Sequence, residues 1–233
     1  MLHFPNFSPS EVCAFVTDRS VDFARPKEGE PFTGFQKHFL FAQLRKAIET
    51  IVTIRQVHGR RVIVVTPRYL RDTKITEADG VITDISDCAL TVRTADCLSM
   101  FIFDPKHKAI GLVHAGWRGT KKEIIPHAIR LMKEKFDSQP KDLKVAFGPS
   151  IRACCYQVGD EFKKYFPQET VQRNTGLYFD LPLANRNQLL RFGVHRKNIF
   201  DCELCTCCDK QFFSYRREGE KTGRMISLLM LKS

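Results

Sequence analysis

The sequence predicts an α/β (α+β) fold: a single domain of mixed β-sheets flanked by helices. Two observations carry this. Short β-branched or aromatic runs, separated by turn residues, recur between residues 51 and 147. Stretches with apolar residues at helical spacing lie before and after them. No linker, internal repeat or low-complexity segment divides the chain, so all of 1–233 is read as one domain.

Residues 25–35, rich in Pro and Gly, read as a loop. Phe41, Leu44, Ile48 and Ile51 then recur at helical spacing and predict an amphipathic helix over 36–50. Strand-like runs follow at 51–55, 61–65, 80–83, 89–94, 98–103, 109–114 and 144–147. After residue 119, Ile125, Ile129, Met132 and Phe136 mark the buried face of a helix. Thr120 and Glu123 have the form of a capping box, while Pro126 delays or distorts the first turn. Further helices are expected at 159–166 and 185–192. Two strands, 212–216 and 224–231, joined by a turn at Glu218-Gly219, are expected to close the chain.

Composition excludes several classes. Hydrophobic residues make up 43% of the chain, enough for a core. The net charge is +11, but the basic residues are scattered instead of forming an aromatic-interleaved stripe, so no nucleic-acid partner is expected. No apolar run reaches membrane-spanning length, and no basic start followed by an apolar run opens the chain. A cytoplasmic protein with no membrane partner is the expectation. Nine cysteines, an odd number, then point to reduced thiols and not a disulfide framework. They cluster at Cys154-Cys155 and at Cys202, Cys205, Cys207 and Cys208. The second cluster contains C-x-x-C but lacks a second pair at zinc-ribbon spacing, so these thiols read as structural or incidental.

Three segments carry the chemistry: Gln56-Val57-His58-Gly59, Thr94-Ala95-Asp96-Cys97, and His114 to Gly119. His58 and His114 each end an apolar run and are followed by glycine within two residues. Strand ends that enter Gly-rich turns expose side chains to a ligand. The other five histidines, His3, His38, His107, His127 and His195, read as structural. If folding brings His58, Cys97 and His114 together, they form a borderline-soft trio suited to zinc, and copper is accepted by the same donors. A metal so held keeps one position open and lowers the pKa of bound water toward about 7. The same groups also suit a thiol nucleophile, Cys97, with an imidazole base. Asp96 is placed to support either centre, or to serve as a turn residue. Gly116-Trp117-Arg118-Gly119 leads into a helix start, where free N–H groups and Arg118 favour an anion. Trp117, the sole tryptophan, either stacks on a planar ligand or joins the core.

Together these residues resemble the bacterial family once labelled multicopper polyphenol oxidoreductase or laccase-domain proteins, whose members include purine nucleoside phosphorylases with adenosine deaminase activity. The resemblance is carried by the three segments above and by Asp79 to Thr83, Leu98, Gly148 to Ile151 and Cys154 to Gly159. Cys205-Thr206, Phe212 to Arg217 and Thr222-Gly223-Arg224 continue it. It covers about 51–231; residues 1–50 are divergent, and an Asn-Leu stretch, a Gly-Asp turn and an Asn-Arg pair found in many relatives are not evident over 20–46. The resemblance implies a sandwich-like α/β domain, often a homodimer, and a zinc held by His58, Cys97 and His114. It makes Cys154-Cys155 part of the scaffold.

The implied reaction is phosphorolysis of adenosine or inosine, with guanosine and methylthioadenosine as further candidates and deamination of adenosine alongside. Purine nucleoside and phosphate are then the expected partners. His58, Cys97, His114 and Asp96 are the expected catalytic residues; Arg118, Gln56, Arg216 and Arg217 are expected to bind substrate and phosphate. Two other activities compete. Some relatives are described as editing peptidoglycan precursors, an amide hydrolysis that the trio also suits. Copper-dependent polyphenol oxidation fits poorly, because one trio with no His-x-His pairs is too few ligands for a multicopper cluster.

Overall fold

A computed structural model describes residues 1–26, 30–44, 51–72 and 75–233. Its frame is two stacked mixed sheets with helices on both outer faces, as the sequence predicts.

The first sheet contains β1 (Leu2–His3), β2 (Val12–Val16), β3 (Ile51–Val52), β6 (Ala89–Thr94) and β14 (Met225–Leu231), in the order β1-β2-β14-β6-β3. The second contains β4 (Val62–Val64), β5 (Gly80–Thr83), β7 (Leu98–Asp104), β8 (Ala109–Ala115), β9 (Lys144–Phe147) and β13 (Ile199–Asp201), in the order β13-β9-β7-β8-β5-β4. Three pairings are parallel, β3 with β6, β4 with β5 and β13 with β9; the rest in these sheets are antiparallel.

Alternation along the strands divides the core. Phe101 and Phe103 of β7 face Val92, Leu229 and Leu231 of the other sheet, while Met100 and Ile102 point the opposite way, toward the helices. On β14, Leu228 and Met230 turn from the sandwich to meet Leu40 and Leu44 of α1 (Gly34–Leu44). Both faces of the central strands are therefore covered, which is why β7 and β8 read as nearly continuous apolar runs. The outer face of the second sheet is covered by α4 (Ile124–Phe136), α6 (Leu181–Arg191) and residues of a small antiparallel sheet. That third sheet contains β10 (Gln157–Val158), β11 (Thr170–Arg173) and β12 (Gly176–Phe179).

Several elements differ from expectation. In α1 the buried residues are Gln36, Leu40 and Leu44; Phe41 is 51% exposed, and residues 45–50 of the expected helix lie outside the described residues. The expected strand 51–55 is regular only at Ile51–Val52. A four-residue helix, α2 (Pro67–Leu70), follows β4, and past residue 116 there are two helices, α3 (Trp117–Lys121) and α4. No capping box joins Thr120 to Glu123: the Thr120 hydroxyl donates to Gly116 O, and Glu123 takes a left-handed turn, φ 58°, with no side-chain cap. Pro126 sits in the first turn of α4, where its missing N–H costs nothing. The helices expected at 159–166 and 185–192 are α5 (Glu161–Tyr165) and α6. The expected strand 212–216 does not form: the Ser214 hydroxyl accepts the Arg217 N–H and caps a short helix, α7 (Tyr215–Glu218). Among the described residues, no helix is long and apolar enough to cross a membrane.

Candidate active site

Two connections cross from one sheet to the other at the same end of the sandwich, and each carries a site residue. The turn Ala95–Cys97 joins β6 to β7, and the loop containing His58 joins β3 to β4. Their backbones are sharply turned, with φ of 90° at Asp96 and 56° at His58. The register of the second sheet does the rest: Ser99 pairs with His114, and Gly80 with Val113. This brings Cys97, His114 and Asp79 to adjacent strand ends.

One ligand atom each from His58, Cys97 and His114 lies within 4.8 Å of the others. The imidazole rings stand edge to face, 4.9 Å apart. His114 Nδ1 donates to the buried Asp79 carboxylate at 2.9 Å, which leaves Nε2 for the trio. The same carboxylate accepts the N–H groups of His58 at 2.9 Å, Gly59 at 2.7 Å and Val57 at 3.3 Å. Gly116 closes the site from behind, since a Cβ there would meet Cys97 Sγ at 2.9 Å and His58 Cδ2 at 3.3 Å.

The electrostatics favour a thiolate. Burial alone raises the Cys97 thiol, but His114 and His58 outweigh it and bring the group down to about 6. Burial opposes the charged form of His114, yet Cys97 and Asp79 hold it up at about 9. Burial also works against the Asp79 anion, but His114 and the amides of Gly59 and Val57 keep its carboxyl below the usual range. Without metal, then, an imidazolium lies between a thiolate and a carboxylate.

The trio opens on a cleft of about 1070 Å³. Aromatic residues Trp117, Tyr156 and Phe162 line part of it, and Trp117 packs on Phe162 at 5.1 Å. Arg118, Arg216, Arg93, Arg25 and Arg224 also line it. Among the described residues, none of these five arginines forms an ion pair with a carboxylate. Arg118 lies over the Trp117 ring at 4.6 Å, and Arg216 over Tyr156 at 5.4 Å. Arg93 is nearly buried, its guanidinium donating to Phe23 O at 2.7 Å, Thr53 Oγ1 at 3.0 Å and Pro31 O. Burial, and after it the neighbouring charge of Arg25, lower its pKa to about 10.

The remaining expected site residues are placed differently. Gln56 lines the cleft, but its amide is used by the β6 backbone: Nε2 donates to Arg93 O and Oε1 accepts Arg93 N–H, both at 2.8 Å. Asp96 accepts the Thr206 hydroxyl and the Arg216 N–H, each at 2.6 Å, and so braces the cleft wall. Arg217 is placed apart from Arg216. It lies outside the cleft lining, with its guanidinium on the carbonyls of Thr206, Cys207 and Phe212 and on Glu218. The helix following Gly116 is also too short, at five residues, to supply much of a dipole for an anion. The sequence reading did not assign roles to Asp79, Arg93 or Arg25. The available signal for Asp79 was its place immediately before a strand, like His58 and Cys97 a residue at a strand boundary.

The model of the multi-copper polyphenol oxidoreductase laccase family matches residues 36–232. The chain belongs to that family. The match begins upstream of residue 51, where the sequence resemblance starts. Two relatives are named purine nucleoside phosphorylase YlmD. The one from Geobacillus stearothermophilus is 35% identical over 78% of this chain and 72% of the relative, and the one from Bacillus subtilis 32% over 93% and 80%. A third relative, adenosine deaminase RL5 from an unknown prokaryotic organism, is 32% identical over 81% of this chain and 78% of its own. The crystal structure of YlmD from Geobacillus stearothermophilus superposes on this laccase-family chain with a TM-score of 0.85, 30% identity, and coverage of 99% of this chain and 94% of that one.

Proposed function

We propose that this chain is a zinc-dependent purine nucleoside phosphorylase acting on adenosine and inosine, with accompanying adenosine deaminase activity. The relatives named purine nucleoside phosphorylase and adenosine deaminase support the reaction classes in this reading. The observation that carries the reading is the trio with one open side, facing a cleft that combines an aromatic wall with arginines that pair with no carboxylate among the described residues.

The donor set fits zinc. Two imidazoles and a thiolate form a three-ligand site of the catalytic type, and Asp79 supplies the carboxylate that fixes the tautomer of His114. Copper is accepted by the same donors, but the other metal-capable group among the described residues is made of thiols alone, with no imidazoles for a multicopper cluster. Zinc held by His58, Cys97 and His114 would supply Lewis acidity and an activated water, the chemistry needed to replace the amino group of adenine.

The other residues do the positioning. Trp117 and Tyr156 supply the aromatic lining against which a purine packs. Arg118 and Arg216, which pair with no carboxylate among the described residues, hold phosphate beside these rings, Arg216 with one guanidinium N–H on Gln157 O at 3.0 Å. Phosphate then attacks the anomeric carbon while the purine departs, and the held anion offsets the positive charge that builds on the sugar. Asp96 acts by positioning, since it fixes the Arg216 backbone.

The deciding experiment is product analysis of adenosine incubated with and without phosphate, together with metal content. Adenine and ribose 1-phosphate should form only when phosphate is present, and inosine in either case. Base release that does not change without phosphate would exclude phosphorolysis.

A further inference from the structure

Away from the cleft, the structure gathers four cysteines that the proposed reaction does not use. Cys154 and Cys155 lie in a turn after β9, and Cys205 and Cys208 in the loop after β13. The second pair that the C-x-x-C of Cys205–Cys208 lacks in the sequence is supplied by the fold. All four Sγ atoms lie within 4.8 Å of one another. Cys208 Sγ is 3.2 Å from Cys155 Sγ and 3.5 Å from Cys154 Sγ.

These distances discriminate between two kinds of thiol chemistry. A disulfide requires about 2.0 Å between sulfurs. Four Zn–S bonds of about 2.3 Å in a tetrahedron place the sulfurs about 3.8 Å apart. The four sulfurs are thus close enough to share one ion and are not joined in pairs. An isolated β-bridge between Ser150 and Cys205, with Thr206 N–H on Ser150 O at 3.1 Å, aligns the two loops. Cys154 and Cys208 are exposed, which leaves an entry path for an ion.

We propose that Cys154, Cys155, Cys205 and Cys208 form a second, structural metal site, a tetrathiolate that binds one zinc ion. Its place in the fold indicates its purpose. The segment after Cys155 supplies Tyr156 to the cleft, and the segment after Cys208 supplies Tyr215 and Arg216. The two cysteine-bearing loops also hold Asp96, through Ile151 N–H, just before Cys154, on its carbonyl at 2.8 Å and Thr206 Oγ1, between Cys205 and Cys208, on its carboxylate at 2.6 Å. Zinc bound to the four thiolates would clamp together two walls of the cleft beside Cys97. It takes no part in bond making.

The test uses the full chain with the cleft trio disabled, His58→Ala with Cys97→Ala, so that its outcome does not depend on the proposed reaction. Purified under reducing conditions, this variant should retain about one zinc per chain, and cobalt in its place should give the intense absorption of a four-thiolate site. Cys154, Cys155, Cys205 and Cys208 should resist alkylation until a chelator is added, while Cys207, outside the cluster, serves as the reference. Adding Cys154→Ser and Cys208→Ser should remove the remaining zinc. A trio-disabled variant that holds no metal when zinc is supplied, or whose four thiols are alkylated as fast as Cys207, would overturn the proposal. So would a peptide map showing these cysteines paired as disulfides in the zinc-supplemented protein.

Discussion

Asp79 holds His114 through Nδ1 at 2.9 Å and, with the same carboxylate, accepts the amides of His58 and Gly59. One buried anion therefore sets both the tautomer of one imidazole and the turn that presents the other. An Asp79→Asn side chain keeps the shape but cannot accept from three amides and a ring N–H together. It should weaken metal binding about 10- to 100-fold. Competition with a chelator of known affinity measures this, and an unchanged affinity would remove Asp79 from the site.

Metal uptake should be linked to protons. Between about pH 6 and pH 9 the metal-free site holds Cys97 as thiolate and His114 as imidazolium. A metal takes neutral histidine, so binding in this window should release about one proton from the pair. Above the window His114 is already neutral and this release disappears; below it Cys97 must also ionise and a second proton follows. Calorimetric titration in buffers of different ionisation enthalpy reads the number directly. Heats that do not vary with the buffer would contradict the charge state assigned here.

Gly116 tests the packing of the trio alone. Its φ of −77° suits any residue, so Gly116→Ala introduces no backbone strain. The new methyl would nevertheless lie 2.9 Å from Cys97 Sγ, and the thiolate must move. Activity and metal affinity should each fall at least about tenfold, because ligands must be held within about 0.5 Å of their working geometry. A thermal midpoint near that of the parent would accompany this loss, and full metal affinity would show that the glycine is not needed.

The three members of the trio could be singled out in the sequence because each sits at a strand boundary beside a turn, a local pattern, but that they meet was implied only by the family resemblance. What was not legible depends on contacts between distant segments. Asp79 joins His114 across the register of β5 and β8, and the four-cysteine cluster joins loops whose sequences do not mark each other as partners. Neighbouring residues show the same limit: Arg216 lines the cleft while Arg217 points away, because Ser214 caps a helical turn where aromatic residues alone suggest a strand. The sandwich itself was readable, since strands covered on both faces leave nearly continuous apolar runs.

Asp201 should govern acid stability. Its carboxylate is almost buried and bonds Arg152 through both oxygens, at 2.8 and 2.7 Å, and Arg186 at 2.8 Å. Burial raises its pKa, but the bonds from Arg152 and the Glu203 amide outweigh this and hold it below the ordinary value of 3.8. A depressed carboxyl stabilises the fold above its unfolded pKa, and that contribution is lost as pH falls below about 3.8 toward the folded value. Asp201→Asn should cost ~2 kcal/mol at neutral pH and flatten the acid limb of the stability curve. Denaturant unfolding at neutral pH and below 4 checks both, and an acid limb as steep as the parent's would assign the acid sensitivity elsewhere.

The two arginines assigned opposite duties give the sharpest separation between binding and scaffold. Arg118 faces the cleft with the Trp117 ring beneath it and no carboxylate partner among the described residues, so Arg118→Ala removes a cation from the proposed phosphate wall. Its KM for phosphate should rise about tenfold, the loss of one charge-assisted contact of roughly 1.5 kcal/mol, with the thermal midpoint unchanged. Arg217 instead satisfies the carbonyls of Thr206, Cys207 and Phe212 and pairs with Glu218. Arg217→Ala strands those groups and should lower the thermal midpoint by several degrees, a cost of about 1–3 kcal/mol, while the surviving folded enzyme keeps its KM for phosphate. If Arg217→Ala raised that KM as much as Arg118→Ala, the loop it braces would be part of the phosphate wall and the division drawn between the two would fail.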